Sequence, residues 1–206
     1  VTGNTRRFGA SLDKIKQVVD VRDGEIMFGL NMVVHKGKTI FVGDTSVHEY
    51  PTSEQMAKIA ISTARVVRLF GFDPKVAFVS HSTFGQPLTS RTKHIRNSVD
   101  ILKERKVDFE FDGDMQPDVA LNPEYEELYP FSKIVGKANI LIMPGQHSAA
   151  ISYKIMKTLG DTKVIGPLLI GLGLPIEITP LRSSTSEIIN LASIAAYSAD
   201  VIDYKK

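Results

Sequence analysis

The sequence predicts an α/β fold with a parallel or mostly parallel sheet. Apolar runs such as Val76–Ser80 and Ile140–Met143 are short and do not alternate with polar residues, which is typical of strands buried on both faces. Stretches with helical spacing of apolar residues lie between these runs, and this alternation indicates helices on both faces of the sheet. The 206 residues, 43% of them hydrophobic, suffice for one large domain or two small ones.

The first half of the chain is predicted to contain a helix, a β-hairpin and a longer helix. These elements cover residues 10–19, 26–34 with 39–43, and about 53–70. Two β-type runs that flank the turn-prone Lys36-Gly37-Lys38 indicate the hairpin. A capping box, in which Thr52 precedes Gln55 by three residues, indicates the start of the longer helix.

The second half repeats the order strand, loop, helix. The predicted elements are a strand at 76–80, a basic helix at 90–105, a strand with Phe109 and Phe111, a strand at 140–143, a helix at about 148–159, two apolar strands within 164–179, and a final helix that begins at Ser184. Gly160 ends the penultimate helix, and Glu187 completes a second capping box with Ser184.

The composition excludes several classes of function. The formal net charge of +2 is too small to indicate nucleic acid or a membrane surface as a partner. No run of about 18 apolar residues predicts a membrane span, and the absence of cysteine excludes disulfides and thiolate chemistry, so we expect a cytoplasmic location. The start, Val1–Arg6, has neither an initiator methionine nor signal-peptide character, and we expect a fragment of a longer protein.

Three possible metal or cofactor motifs do not fit their templates. The segment Asp112–Pro117 begins like a calcium loop, but a proline stands where that loop needs glycine. Gly171–Gly173 is followed by a β-type run instead of the helix of a dinucleotide site. The histidines show no helical i,i+4 pair, so we expect no metal site.

The loop after the strand at 76–80 is a candidate binding site. Ser80–Gly85 (Ser-His-Ser-Thr-Phe-Gly) supplies hydroxyls and backbone donors at the carboxyl end of a strand, where open α/β sheets bind ligands. The same residue types are typical of helix caps and turns, so a phosphate contact and a local role are both open. The basic stretch 91–105 has the same two interpretations, a phosphate contact or a solvated helix face.

Four segments are similar, in order and spacing, to blocks of the phosphotransacetylase (phosphate acetyl/butyryltransferase) family: Ser80–Gly85, Asp112–Ala120, Ala138–Pro144 and Gly166–Leu172. The resemblance implies a three-layer αβα architecture in two domains, with an acyl-CoA site in the cleft between them. It implies that residues 1–12 and 170–206 are the remainder of a split first domain, that residues 13–169 form the second domain, and that the N-terminal portion is missing.

The chain departs from active members of that family at their reaction centre. Those members carry Ser-Arg-Gly before the last helix and then an aspartate that accepts the proton of the CoA thiol. Pro180-Leu181-Arg182 and Glu187 occupy these positions here. Proline and leucine supply no charge and no side-chain donor, which favours loss of the acetyltransferase reaction. The alternative is an active phosphate acetyltransferase that uses Arg182 and Glu187, although the capping box also explains Glu187.

A second departure indicates a subgroup. Pro144–Ser152, together with Val1–Arg6 and Thr45–Glu49, is similar to the C-terminal domain of bacterial hybrid malic enzymes. The resemblance implies a regulatory domain that binds acetyl-CoA and transmits the signal to the catalytic domain, contains no cofactor of its own, and forms at least a homodimer. A CoA cleft that has lost its catalytic groups binds without turnover, and it regulates if it binds one oligomeric state better than another. The resemblance further implies a partner in the same polypeptide, an N-terminal malic enzyme domain that uses NADP and a divalent metal. A third hypothesis is a purely structural oligomerisation module.

The residues predicted to contact phosphate or acyl-CoA are Ser82, Thr83 and Gly85, then Thr5 and Arg6, then His147 and Ser148, and finally Arg182 and Ser183. His147 and Ser148 either contact the pantetheine arm or cap their own helix. Arg182 and Ser183 are included because they adjoin the altered reaction centre.

Overall fold

In the computed structural model, which describes residues 1–3 and 5–202, strands and helices alternate as the sequence predicts. The strands are β1 (Thr2–Gly3), β2 (Phe28–His35), β3 (Lys38–Gly43), β4 (Lys75–Val79), β5 (Glu110–Met115), β6 (Ile140–Ile142), β7 (Thr162–Ile170) and β8 (Ile178–Thr179). The helices are α1 (Phe8–Lys16), α2 (Ser53–Leu69), α3 (Ser90–Glu104), α4 (Pro117–Leu121), α5 (Gln146–Leu159) and α6 (Thr185–Val201). Asn4 of the predicted N-terminal motif and residues 203–206 of the predicted split domain lie outside the described residues.

A six-stranded sheet in the order β5-β4-β6-β3-β2-β7 forms the centre of the fold. β5, β4, β6 and β3 are parallel neighbours, while β2 is antiparallel to β3 and to β7. The reversal at β2 follows from the hairpin turn at Lys36 and Gly37, whose φ angles of +47° and +78° suit a type I′ turn. The predicted mostly parallel sheet is confirmed.

Helices cover both faces of this sheet, which confirms the predicted three-layer arrangement. α2 and α3 pack on one face against side chains that include Phe78 and Ile140. α4, α5 and the segment 122–139 pack on the other face against side chains that include Ala77 and Leu141. Because adjacent residues of one strand point to opposite faces and both faces are covered, the strands are continuously apolar in sequence.

A strand at the N-terminal end and a strand before the last helix meet outside the main sheet. β1 pairs in parallel with β8, and the two form a separate two-stranded sheet. Leu12 and Ile15 of α1 pack with Ile178 of β8 and Leu169 of β7 in a third apolar cluster. A split first domain needs such a meeting, but the division into 1–12, 13–169 and 170–206 stays a prediction.

The structure corrects several predicted boundaries: α1 spans Phe8–Lys16 instead of 10–19, β2 begins at Phe28, α5 begins at Gln146, and β5 begins at Glu110, after Phe109. The short helix α4 was missed because Pro117 suggests a break, whereas proline is favoured in the first helical turn. The predicted capping box of Thr52 and Gln55 is present at the start of α2. None of the helices in the described residues combines the length and the apolarity that crossing a membrane requires.

Candidate functional site

The carboxyl edge of the sheet between β4 and β6 is where the topology favours a ligand. β4 leads into α3 on one face of the sheet, and β6 leads into α5 on the other face. The two loops therefore diverge from neighbouring strands and open a crevice, which is the usual binding position in open α/β sheets. Five predicted residues lie in these two loops or at the start of α5: Ser82, Thr83, Gly85, His147 and Ser148.

A buried carboxylate organises the loop after β4. Asp114 of β5 has no exposed surface, and it accepts hydrogen bonds from the Ser82 hydroxyl and from the Gly85 N–H, the latter at 3.0 Å. An Arg96 Nη1 atom lies 3.9 Å from the same carboxylate and would lie 2.8 Å from a Cβ atom at position 85. Ser82 and Gly85 therefore hold the loop in shape, and direct ligand contact by either stays a prediction.

Thr83 is more accessible than its neighbour Ser82. Its Oγ1 accepts a hydrogen bond from the Gln116 N–H at 3.2 Å, and Gln116 Nε2 donates to the His81 carbonyl at 2.7 Å. These bonds connect the loop after β4 to the residue that follows β5. Because the Thr83 hydroxyl is an acceptor in this bond, its proton is available to a ligand.

The N-terminus of α5 is suited to bind an anion. The N-cap residue of α5 is Gly145, so no N-cap side chain accepts a hydrogen bond from the N–H groups of the first turn. The first turn also contains no acidic residue. Arg91 lies beside this turn, because its Nη2 donates to the Pro144 carbonyl at 3.2 Å and its guanidinium carbon lies 5.2 Å from the ring centroid of Tyr50. The positive end of the helix dipole, next to a guanidinium, forms a site for phosphate or carboxylate.

The two predicted residues in this first turn behave differently. The Ser148 hydroxyl donates to the Gly145 carbonyl at 2.8 Å, which favours the local alternative for this residue. The His147 side chain is 76% exposed, and its Nε2 lies 3.5 Å from a carboxylate oxygen of Glu49. Contact of either residue with a pantetheine arm stays a prediction.

A second buried carboxylate, Asp44, follows β3 and organises the loop next to α5. It accepts hydrogen bonds from four backbone N–H groups, those of Gly29 at 2.9 Å, Ser46 at 2.8 Å, Val47 at 3.1 Å and His48 at 2.8 Å. The same carboxylate lies 2.6 Å from Nδ1 of the His48 ring. The His48 carbonyl accepts the Gln146 N–H at 3.0 Å, so Asp44 fixes the loop to which α5 is anchored.

Sequence reasoning missed the role of both carboxylates, since it considered Asp114 as part of a rejected calcium loop and of a family block but not as an acceptor for the loop after β4. A signal was present, since a Gly-Asp pair stands at the end of each of two predicted strands, Gly43-Asp44 and Gly113-Asp114. Within residues 1–3 and 5–202 no group of three or more His, Asp or Glu is arranged to hold a metal ion.

Arg182, Ser183 and Glu187 lie in a second groove, away from the β4 loop. This groove has a volume of about 210 Å³ and is formed by α5, β7 and the start of α6. The Ser183 hydroxyl donates to the Pro180 carbonyl at 2.8 Å, a local contact. β7 is at the opposite end of the sheet from β4 and β5, and α5 is an element that borders both the groove and the crevice.

Glu187 accepts three hydrogen bonds from its neighbours, although 36% of its side chain is exposed. Its carboxylate accepts a hydrogen bond from Lys157 Nζ at 2.8 Å, and from the N–H and the hydroxyl of Ser184 at 2.8 and 3.1 Å, so the second predicted capping box is confirmed. The bond from Lys157, followed by the bond from the Ser184 backbone, lowers the pKa of Glu187. A lowered pKa makes this carboxylate a weaker proton acceptor than an ordinary glutamate.

Thr5 and Arg6 line a third groove of about 370 Å³ beside α1, together with Thr2, Gly3, Ser11 and Lys14. Among the described residues, it shares no lining residue with the groove around Arg182. The predicted residues thus fall into three places, and the structure brings together only those at the crevice. Ligand contact by Thr5 and Arg6 stays a prediction.

The chain is similar to two kinds of curated protein, a malic enzyme and a phosphate acetyltransferase. It is 44% identical over 199 residues to an NADP-dependent malic enzyme of Rhizobium meliloti, covering 97% of this chain and 26% of that protein. It is 31% identical over 185 residues to a phosphate acetyltransferase of Bacillus subtilis, covering 89% of this chain and 57% of that protein. The chain thus spans about a quarter of the malic enzyme and somewhat over half of the transferase.

The fold has a close counterpart among solved structures. A phosphotransacetylase from Streptococcus pyogenes superposes with a TM-score of 0.88 at 28% identity, over 96% of this chain and 61% of that chain. The sequence profile of the family described as phosphate acetyl/butaryl transferase matches residues 1–196. The chain therefore belongs to the phosphate acetyl/butaryl transferase family.

Proposed function

We propose that this chain is the acetyl-CoA-binding, regulatory domain of a longer NADP-dependent malic enzyme and that it has no transferase activity of its own. The proposal is supported by the 44% identity to such a malic enzyme, which is higher than the 31% identity to a phosphate acetyltransferase. NADP, the divalent metal and the oxidation of malate are assigned to a part of the polypeptide outside this chain. We further propose that the protein acts as a homo-oligomer in the cytoplasm.

The observation that carries the proposal is the state of Glu187 at the altered reaction centre. A proton acceptor for a thiol must be free to approach it, but this carboxylate is bonded to Lys157 and Ser184. Pro180 and Leu181 provide no side-chain donor to stabilise a developing negative charge. In contrast, the anion-binding features at α5 and Arg91 are intact. Such a chain binds an acyl-CoA phosphate group without converting the thioester.

Binding without turnover becomes regulation when the ligand prefers one state of the whole protein. A ligand shifts a conformational equilibrium only by its difference in affinity for the two states. By linkage, the catalytic part in turn changes the affinity for acetyl-CoA by the same factor, which is about 5- to 150-fold in typical allosteric proteins. The proposed regulator therefore requires two measurements, acetyl-CoA binding and its effect on malate oxidation.

The test combines three assays. Calorimetry measures binding of acetyl-CoA to the chain, an assay of acetyl phosphate formation measures transferase activity, and malate-dependent NADP reduction by the full-length parent is followed during titration with acetyl-CoA. We expect saturable binding, no acetyl phosphate above the buffer rate, and a change in the rate of NADP reduction.

Each alternative predicts a different result. Formation of acetyl phosphate at an ordinary enzymatic rate would establish the active transferase and contradict our proposal. The third hypothesis, a structural oligomerisation module, would be favoured if calorimetry shows no binding heat and acetyl-CoA does not affect NADP reduction. Absence of malate oxidation in the full-length parent would refute the malic enzyme assignment.

Arg91 provides a test of where the ligand binds. Replacement of Arg91 by alanine removes the guanidinium beside the start of α5, and a hydrogen bond to a charged group contributes about 1.5–3 kcal/mol. We expect the dissociation constant of acetyl-CoA to rise by about tenfold or more. The wild-type chain should also lose affinity as salt rises, and Arg91→Ala should reduce this salt dependence.

Arg68→Ala is the matched control. Arg68 lies in the last turn of α2 and pairs at 3.1 Å with Asp108, just before β5 begins, so its replacement removes the same charge at the opposite edge of the sheet from the crevice. It should leave acetyl-CoA affinity within about a factor of two. Equal losses in the two variants would indicate a general effect of net charge and would contradict the proposed site.

A further inference from the structure

An aromatic cluster adjoins the candidate crevice and has no role in the arguments above. It consists of Phe84, Tyr129 and Phe131, with ring centroids 4.8 Å apart for Phe84 and Phe131 and 5.4 Å apart for Phe84 and Tyr129. Phe131 is 69% exposed, although it is a large apolar side chain. Because Phe84 belongs to the loop of Ser82 and Gly85, the cluster is continuous with one wall of the crevice.

The backbone at Phe84 indicates that this position is constrained. Its φ angle is +50°, a left-handed value that is uncommon for a bulky residue without a short polar side chain. The Phe84 N–H donates to the Asp114 carbonyl at 2.7 Å, and the next N–H donates to the Asp114 carboxylate. Asp114 therefore holds the loop in the conformation that brings the Phe84 ring against Tyr129 and Phe131. A strained residue held by its surroundings is typical of ligand-binding positions.

Charge divides the surroundings of the crevice into two parts. The α5 terminus and Arg91 provide positive charge that suits phosphate groups, and Glu49, 3.5 Å from His147 in the first turn, is the acidic side chain on this side. The segment before Phe131 carries three acidic residues, Glu124, Glu126 and Glu127, of which Glu126 pairs with Lys137 at 2.6 Å. An acidic neighbourhood disfavours phosphate, but it tolerates a neutral aromatic base with amino donors. A ligand that joins phosphates to such a base matches both parts.

We infer that the face of Phe131, supported by Phe84 and Tyr129, is a stacking platform for the adenine ring of the acyl-CoA ligand. The inference rests on the proposed function, because it names a subsite of the same ligand. Base–aromatic stacking requires an exposed ring held in place, and both properties are present in Phe131. Because of the platform, the chain binds acyl-CoA more tightly than it binds thioesters that lack the adenosine part.

The test compares two ligands by calorimetry on the 206-residue chain. Acetyl-CoA carries the adenosine part, whereas acetyl-phosphopantetheine has the same thioester arm and ends at a phosphate. We expect Phe131→Ala to raise the dissociation constant of acetyl-CoA about tenfold. The dissociation constant of acetyl-phosphopantetheine should stay within about a factor of two of the wild-type value. Leu128→Ala is the control. Leu128 lies in the same segment and is 67% exposed, but it has no aromatic ring on which a base could stack.

A second variant gives a readout that does not depend on affinity. The chain contains no tryptophan, so Phe131→Trp introduces a single indole at the platform. We expect acetyl-CoA to quench its fluorescence by stacking, and acetyl-phosphopantetheine to leave it unchanged.

Two outcomes would overturn the inference, and they are distinguishable. If both ligands bind the wild-type chain but Phe131→Ala changes neither or weakens both equally, the platform is absent and the proposed function stands. An exposed cluster that contacts a partner protein would give this result. If neither ligand binds the wild-type chain, the proposed function itself fails, and the platform fails with it.

Discussion

Replacement of Asp44 by alanine is expected to lower the free energy of unfolding by about 3–5 kcal/mol. The carboxylate is 1% exposed, and it accepts four backbone N–H groups besides contacting the His48 ring. Each buried donor left without an acceptor costs about 1–3 kcal/mol, and partial access of water to the loop reduces the sum. Urea unfolding followed by circular dichroism measures the loss.

Asp100→Ala is the control for this prediction. The Asp100 side chain is 63% exposed and pairs with Lys103 within the same helix at 3.1 Å, an arrangement that contributes little to stability. Its replacement should change the free energy of unfolding by no more than about 0.5 kcal/mol. If the two variants lose similar stability, Asp44 does not organise the loop in the way its contacts indicate.

Replacement of Glu177 by glutamine is expected to change how stability depends on pH. Glu177 lies beside an apolar cavity of about 320 Å³ between α2, β7 and α6, and only 4% of its surface is exposed. Burial raises the pKa of Glu177 from 4.5 to about 8, while the bond from the Leu169 N–H opposes this shift. The side chain is therefore mostly protonated and neutral at pH 7.

The direction of the pH effect follows from the raised pKa. Between about pH 4.5 and pH 8 the folded chain retains a proton that the unfolded chain releases, so the free energy of unfolding falls as pH rises. The contribution of Glu177 is fully present below pH 4.5 and is lost by about pH 8. At 1.36 kcal/mol per pKa unit, a shift from 4.5 to about 8 makes the total loss on the order of 5 kcal/mol.

Glutamine has almost the same size as glutamate and can accept the Leu169 N–H, but it does not ionise. At pH 9 we expect Glu177→Gln to exceed the wild-type chain in unfolding free energy by about 2–3 kcal/mol, because its buried amide offsets part of the gain. At pH 5 the variant should be equal to the wild type or less stable. Urea unfolding at pH 5, 7 and 9 measures the difference, with the exposed Glu104→Gln as control. A constant difference at all three pH values would contradict the prediction.

Several features of this protein follow from the sequence because they depend on neighbours in the chain. Periodicity and non-alternating apolar runs predict the α/β class, since helix and strand geometry repeat over two to four residues. The capping boxes of α2 and α6 were predicted correctly for the same reason, because the two residues of each box are three positions apart in the sequence. The family blocks and the replacement at Pro180 and Leu181 are also properties of the sequence alone.

Other features depend on the order of the strands in the sheet, which local patterns do not encode. Asp114 meets the Ser82 hydroxyl 32 positions away, and Arg91 meets the Pro144 carbonyl 53 positions away. Both contacts exist because β4 lies between β5 and β6, so the loops of three strands share one edge of the sheet. The same order puts β7, which borders the groove of Arg182 and Glu187, at the other end of the sheet from β5 and β4. Burial, which sets the protonation of Glu177, likewise arises only when α2, β7 and α6 pack around it, because desolvation is a property of the whole fold.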